Sequence, residues 1–393
     1  MLRRLTLVPL AGLTLVAMIA SPAVAVDPLP LATTTSSVDL TAGRPNLTAA
    51  AGPMAFIAAE SPRGRGPGRL FVVDSGTAAI TKSISIGPLP MGLAVTPDGS
   101  RVITSSWQER AVRVINPRTG ALIRKIPVGG QADAVTIGPK GASAFVYVID
   151  KGTIVKVDLS SNRIKGRYPI KTCKNEQPVS LAVTPDSSTL LVSCDESGVI
   201  FMSTSSGRVI GTVNAAGGGV PTFSPDGTVA YVGSSIYFSA VNIKSRSVVG
   251  SSTLWRKGDG DVDGIESPMS IAVDGDASAV YAVMPEVGQI SVLDPLTGKQ
   301  LSRVAMDGTP VRGVTSVIFG PNGRLSGVGQ KLLTIDPQSN SVIGVDALSP
   351  PGPGATPLVF QSVLLDGSRI GIPWAVFDGG EQSGSGFTML TMP

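Results

Sequence analysis

The chain contains no histidine among its 393 residues. That absence excludes Ser-His-Asp and Cys-His mechanisms, zinc or copper sites ligated by histidine, and acid-base catalysis by an imidazole. An enzyme built from this sequence would have to rely on carboxylates or a metal. No catalytic pair stands out in the sequence, so it favours a protein without catalytic activity.

Cysteine is almost as scarce, with Cys173 and Cys194 as the only two. Without a histidine base, neither thiol suits nucleophilic catalysis. In an oxidising compartment the two would pair, and closing a loop of that length stabilises a fold by about 3 kcal/mol on the chain-entropy model. We therefore predict a disulfide between them.

Charged residues are also few, at 15% of the chain, with a formal net charge of +4. The short basic runs at residues 63–69 and 163–174 are expected to be solvated charges that protect a loop and a sheet edge from aggregation. Neither the balance nor the runs indicate a nucleic-acid partner.

The one long apolar run lies at the start of the chain. Arg3 and Arg4 precede the apolar residues 5–20, and Ala23 and Ala25 place small residues at a cleavage site, which is the pattern of a secretory signal peptide. No later run approaches the roughly 20 apolar residues of a membrane span. We predict cleavage near Ala25, no transmembrane anchor, and a protein that is secreted or associated with the cell envelope.

Three segments follow from this pattern: a signal peptide at 1–25, a Thr/Ser/Ala/Pro-rich disordered lead at 26–52, and a folded domain at 53–393. The domain repeats. A β-hairpin turn signal recurs seven times at intervals of 40 to 50 residues, at positions 96–99, 138–141, 184–187, 224–227, 274–277, 320–323 and 365–368. In these turns Pro presets the backbone and Gly supplies a positive φ.

A second turn signal falls between these hairpins, also seven times, as in Asn116-Pro117-Arg118-Thr119-Gly120. Two hairpins per repeat make a four-stranded antiparallel blade, and such blades around an axis form a β-propeller. We predict an all-β, seven-bladed propeller, with N-terminal strands completing the blade begun by the C-terminus so that the ring closes without an open edge.

One stretch carries a family resemblance. Residues 92–102 (GLAVTPDGSRV), 112–120 (VRVINPRTG) and 126–130 (IPVGG) together resemble one repeat of the YVTN family of bacterial surface-layer and periplasmic propellers. The resemblance extends over residues 70–345 and implies the fold, not an activity. The signature tetrapeptide is replaced by Ile103-Thr104-Ser105-Ser106.

A candidate calcium site lies in the longest interval between turns. Asp259, Asp261, Asp263 and Glu266 surround glycines in a short loop, and alternating carboxylates are what a hard cation prefers. The twelfth position is Ser270 instead of a bidentate Glu, so a flexible acidic loop without calcium is the alternative. No other cofactor is indicated.

The three tryptophans, Trp107, Trp255 and Trp374, are predicted beside loops on one face of the propeller, after second or fourth strands. They could form an aromatic platform for a sugar or flat ligand, or they could pack at the rim. The same loops carry charged residues that could include a carboxylate pair: Glu109, Arg110, Asp133, Lys174, Glu176, Asp195, Glu196, Arg256, Lys257, Glu286, Asp307 and Arg312.

These observations predict a monomeric exported binding or scaffold propeller for an envelope, polysaccharide or protein partner. The alternative is a His-independent hydrolase, lactonase-like and assisted by calcium. A quinoprotein is a third option, disfavoured because its cofactor-stacking and docking motifs are missing.

Overall fold

A computed structural model of the chain describes residues 33–391 with short gaps, which fall at 41–43, 62–65, 177–178, 235, 257–268, 285–287, 307, 321–322, 330, 348–357, 360–362, 365–368 and 379–380. The predicted signal peptide and the four residues of the predicted calcium site lie outside the described residues. The described part is all-β, with two single-turn 3-10 helices, Ile149–Lys151 and Lys171–Cys173.

The described strands form eight sheets, here called sheets I to VIII, which are antiparallel apart from one short parallel contact in sheet VII. Sheets I to III comprise β2 (Arg44–Ala51), β3 (Met54–Glu60), β4 (Gly68–Asp74) and β5 (Ala79–Ile86); β6 (Pro90–Val95), β7 (Val102–Ser106), β8 (Ala111–Ile115) and β9 (Leu122–Pro127); and β10 (Ala132–Ile137), β11 (Ser143–Val148), β12 (Thr153–Asp158) and β13 (Arg163–Pro169). Each is a plain up-and-down meander.

The next three sheets repeat that order. Sheets IV to VI comprise β14 (Val179–Val183), β15 (Thr189–Cys194), β16 (Gly198–Ser203) and β17 (Val209–Val213); β18 (Thr222–Phe223), β19 (Val229–Ser234), β20 (Tyr237–Asn242) and β21 (Ser247–Thr253); and β22 (Ser270–Val273), β23 (Val280–Met284), β24 (Gln289–Leu293) and β25 (Gln300–Arg303).

The last two sheets are less regular. Sheet VII comprises β28 (Val314–Phe319), β29 (Leu325–Gly329), β30 (Lys331–Asp336) and β31 (Ser341–Ala347), extended by β26 (Ala305–Met306) and β27 (Thr309–Pro310). Sheet VIII comprises β32 (Leu358–Val359), β33 (Val363–Leu364), β34 (Arg369–Asp378), β35 (Glu381–Thr391) and β1 (Thr33–Asp39).

The described sheets number eight, one more than the seven predicted. The sheet missed from the sequence is sheet I, whose first hairpin turns at Ala51-Gly52-Pro53-Met54 without the Asp or Asn that marks most of the other turns. For the same reason, the prediction of a disordered lead at residues 26–52 was wrong for the strands of that segment. The structure instead places β1 and β2 there, because both strands find partners that local composition does not reveal: β3 for β2, and β35 for β1.

The predicted pairing of the two ends of the chain is present. Strand β1 runs antiparallel to β35, with Val38 opposite Phe387. Just beyond β1, the N–H of Leu40 donates to the carbonyl of Ser385 at 2.9 Å, and Leu40 is fully buried. The first described strand is therefore the fourth strand of the sheet that the last strands begin.

The core lies between successive sheets. Second and third strands are buried almost throughout, as in β7, β15, β19 and β24. Buried clusters join sheets III and IV, IV and V, and VI and VII. Strands that are apolar on both sides require a sheet packed on either side of them, which is the packing of propeller blades.

Candidate functional site

One end of the sheets, here called the loop face, collects the turns between second and third strands and the connections that lead from a fourth strand to the next sheet. In an antiparallel sheet the second and fourth strands both end on this side. Sheets III, IV and V build its best-defined part. The opposite end carries the hairpin turns centred on Asp98 and Asp226 and the turns between third and fourth strands.

The predicted disulfide is present on the loop face. Cys173 lies in the connection from sheet III to sheet IV, Cys194 ends β15, and both are fully buried. The hydroxyl of Tyr147 donates a hydrogen bond to the carbonyl of Cys173. Burial is the first cause that raises the pKa of Tyr147, followed by the charges of Asp133 and Glu176, so the phenol stays a neutral donor.

Glu176 fixes the same connection to the turn after β15. One carboxylate oxygen accepts the N–H groups of Glu196 and Ser197 at 3.2 and 3.1 Å. The hydroxyl of Ser197 contacts the other carboxylate oxygen and also lies 2.8 Å from the carbonyl of Thr172. The disulfide and this carboxylate together hold the β15–β16 turn in one position.

That turn forms one wall of a groove between sheets IV and V, with a volume of about 610 Å³. The floor is the connection that leaves β17. The opposite wall is made by the end of β19 and by β20 and β21. The residues that line it are Asp195, Glu196, Asn214, Ala215, Ala216, Gly217, Ser234, Tyr237, Phe238, Ser239, Val248, Ser251, Ser252 and Thr253.

The side of β20 that faces sheet IV forms part of the groove. On β20, Val241 packs in the cluster shared with sheet IV, and side chains two residues apart point to the same side of a strand. Tyr237 and Ser239 therefore face sheet IV as well. Tyr237 is 55% exposed, so its ring is accessible from the groove.

The floor requires glycine. A Cβ atom on Gly217 would lie 1.7 Å from the carbonyl oxygen of Cys194, and one on Gly219 would lie 2.2 Å from that of Gly233. The connection thus passes between the ends of β15 and β19 at backbone contact distance. The N–H of Ala216 donates to the hydroxyl of Ser239 at 3.0 Å, which joins the floor to the wall.

The groove has an acidic side. Asp195 is half-buried and Glu196 is exposed, and the hydroxyl of Ser234 reaches within 3.5 Å of the Asp195 carboxylate. Among the described residues that line the groove, none is Lys or Arg. A concave surface that carries carboxylates concentrates cations.

The tryptophans are not part of this groove. Trp107 packs against the core cluster of sheets III and IV, and Trp255 against that of sheets V and VI. Trp374 lies within β34 and not after it, since that strand continues to Asp378. The described packing of Trp107 and Trp255 is that of the rim-packing alternative, and the aromatic platform stays a prediction.

Among the charged residues of the predicted loops that the structure describes, Asp195 and Glu196 are the two that line the groove. Glu109 instead contacts Arg113 at 2.6 Å and Lys125 at 3.0 Å, an arrangement that lowers the pKa of Glu109, first through Arg113. Sequence reasoning missed Tyr237 and the groove floor. The run of small residues at 215–219 was the available signal for a close backbone approach.

Within the described residues, three donor atoms that could hold a metal lie close together only in Cys173, Glu176 and Cys194. Both sulfurs are consumed by the disulfide, so this group offers no thiolate ligand. Among the same described residues, no helix is long and apolar enough to cross a membrane.

No family model matches the chain, and no curated protein matches it. Solved structures do. BamB from Moraxella catarrhalis is similar with a TM-score of 0.66 and 15% identity, covering 92% of this chain and all of that one. Hydrazine synthase of Kuenenia stuttgartiensis is similar with a TM-score of 0.55 and 17% identity, covering 81% of this chain and 99% of that one. At these identities the likeness shows the fold alone: this chain shares its all-β architecture with β-propeller proteins.

Proposed function

We propose that the protein is a non-catalytic binding propeller that engages a partner protein through the groove between sheets IV and V. The observation that carries this proposal is the groove itself: an open space of about 610 Å³ between two anchored walls. Binding sites are typically concave, pre-formed and lined by a few polar groups among apolar ones.

The mixture of groups supports a partner over a small substrate. An exposed aromatic ring, several hydroxyls and the backbone of the groove floor offer contacts along a peptide chain. Tyr is enriched where binding energy concentrates. The eight sheets would form the scaffold, and we propose that they close into a ring.

Export forms the second part of the proposal. A buried disulfide is typical of proteins that fold in an oxidising compartment, and the signal-peptide pattern of residues 1–25 agrees with that location. The protein would then work outside the cytoplasm, in the envelope or beyond it.

The test is calorimetric titration of the purified protein with synthetic heptapeptides that span charged and apolar classes, and with soluble oligosaccharides. Mass spectrometry of each probe after incubation shows whether it is turned over. We expect binding of peptides without turnover. Tyr237→Ala should weaken binding by about tenfold, the value of a contact worth 1.4 kcal/mol, whereas Leu296→Ala should not.

Leu296 is a matched control, because it is 67% exposed and lies in the β24–β25 turn at the opposite end of the sheets. Turnover of any probe would overturn the proposal in favour of the hydrolase alternative. Equal losses in both variants, or no peptide binding at all, would also overturn it.

A further inference from the structure

The two walls of the groove differ in chemistry, and the difference selects among partner proteins. This inference rests on the proposed function. One wall is acidic, from Asp195 and Glu196; the other is aromatic and aliphatic, from Tyr237 and Val248, with 55% and 37% of their surfaces exposed. A ligand that satisfies both walls needs a cation and an apolar group side by side.

The acidic wall is held in place. Cys194, in the disulfide, directly precedes Asp195, and the Glu176 carboxylate accepts the backbone N–H of Glu196. Because the backbone that carries both carboxylates is already held, binding a cation there costs less conformational freedom. The chain as a whole is weakly basic, with a formal net charge of +4. The negative charge of the groove is therefore local and opposite in sign to the net charge of the chain.

The apolar wall suits the stem or the neighbour of that cation. Tyr237 and Val248 face sheet IV, and Val248 lies opposite Val241 on the neighbouring strand. An aromatic ring attracts a Lys or Arg head group over its face and also packs aliphatic carbon.

The floor offers backbone groups to a ligand. Three floor residues keep their polar groups available, because they make no hydrogen bond with other described residues: Asn214, Ala215 and Gly217. Fully buried Ser193 has a hydroxyl without a partner within the described part of the chain. It lies beside Val199, which packs in the cluster shared with sheet V, so it is on the groove side of β15.

From these features we propose that the groove binds an extended, cationic segment of a partner protein. A Lys or Arg side chain of that segment contacts the carboxylates of Asp195 and Glu196, and an adjacent apolar side chain packs on Tyr237. The main chain of the segment hydrogen-bonds the floor. Charge complementarity selects this occupant over an acidic or neutral peptide.

The experiment uses fluorescence anisotropy with three labelled heptapeptides that alternate Leu with Lys, Gln or Glu. We expect the Lys peptide to bind about tenfold tighter than the Gln peptide, equivalent to one charge-assisted contact of 1.4 kcal/mol, and the Glu peptide not to bind. Raising the salt concentration should reduce the preference for Lys.

Two variants and a control assign the effect. Asp195→Asn and Glu196→Gln should each reduce the preference for Lys over Gln, while Glu60→Gln should leave it intact. Glu60 ends β3, on the loop face but outside the groove. Melting curves check that each variant is folded, and Glu196→Gln, in an exposed position, keeps the test valid if Asp195→Asn fails to fold.

The outcomes separate this inference from the function it rests on. If Lys and Gln peptides bind equally and Tyr237→Ala weakens both, the binding function holds and the preference for a cation is wrong. If Glu60→Gln acts like the groove variants, the effect is non-specific and the inference is overturned. If oligosaccharides bind and no peptide does, both the inference and a protein partner are wrong.

Discussion

Gly217 lies directly on the carbonyl group of Cys194, so that a Cβ atom at residue 217 would be 1.7 Å from the oxygen. This contact joins the groove floor to the disulfide: the oxygen belongs to the residue whose sulfur bonds Cys173. The floor, the acidic wall and the connection from sheet III are therefore held to one another through Cys194.

Gly217→Ala should therefore disturb both stability and binding. The neighbour is backbone and cannot turn away as a side chain would, so the connection must shift, at a cost of about 1–3 kcal/mol for overpacking. Urea unfolding measures the loss. Gly275→Ala is the control, because nothing lies within 4 Å of its Cβ position; an equal loss there would contradict the explanation.

Removing the disulfide should lower stability and loosen the groove. Cys173→Ala with Cys194→Ala should reduce the free energy of unfolding by about 3 kcal/mol, through greater freedom of the unfolded chain. Because Asp195 follows Cys194, affinity for the Lys peptide should fall as well. Unchanged affinity in a destabilised but folded variant would show that the disulfide serves stability alone.

Glu176→Gln should weaken the groove without removing the disulfide. The carboxylate accepts the N–H groups of Glu196 and Ser197, and bonds to a charged group contribute about 1.5–3 kcal/mol when buried. The amide keeps one acceptor, so we expect the lower end of that range or less. Hydrogen exchange at Glu196 and Ser197 should accelerate, whereas exchange at Val192, inside β15, should not.

The regular part of the fold could be predicted from the sequence because its turns are local. In the hairpin at Thr96, the N–H of Gly99 donates to the Thr96 carbonyl at 2.8 Å and Gly99 has a φ of +65°. Four adjacent residues contain all the information needed for that geometry. Strand β1 lacks such a local signal, because its partner is β35, more than 340 residues away. Sheet I lacks it because its first hairpin turns at Ala51-Gly52-Pro53-Met54, without the Asp or Asn that marks most of the other turns.

The site was harder to predict than the fold for a related reason. Asp195 and Glu196 could be placed in a loop of the correct face from the repeat alone. Tyr237 could not be assigned to a groove, because its exposure depends on how far sheet V stands from the floor at Ala216. For Trp107 and Trp255 the sequence left an aromatic platform and rim packing open, and the structure shows both side chains packed against core clusters.

The turns opposite the loop face predict a loss of stability in acid. The pKa of Asp98 is lowered from 3.8 to about 2, first by the hydroxyl of Thr96 and then by the N–H and hydroxyl of Ser100. A carboxyl group with a depressed folded-state pKa stabilises the fold fully above its unfolded pKa, and this contribution is lost as the pH falls through the folded value.

Asp98→Asn tests that assignment, since the amide keeps an oxygen acceptor and removes only the titration. The difference in unfolding free energy between the parent and this variant should be constant above pH 4 and should shrink between pH 4 and pH 2. Urea unfolding at several pH values measures it. Asp98 is fully exposed at a surface turn, so the difference should be small. A group bonded by three donors in the native state binds protons less readily there than in the unfolded chain, which is why the difference should shrink. A difference that grew on acidification would contradict this assignment, since it would mean that the carboxylate destabilises the folded turn.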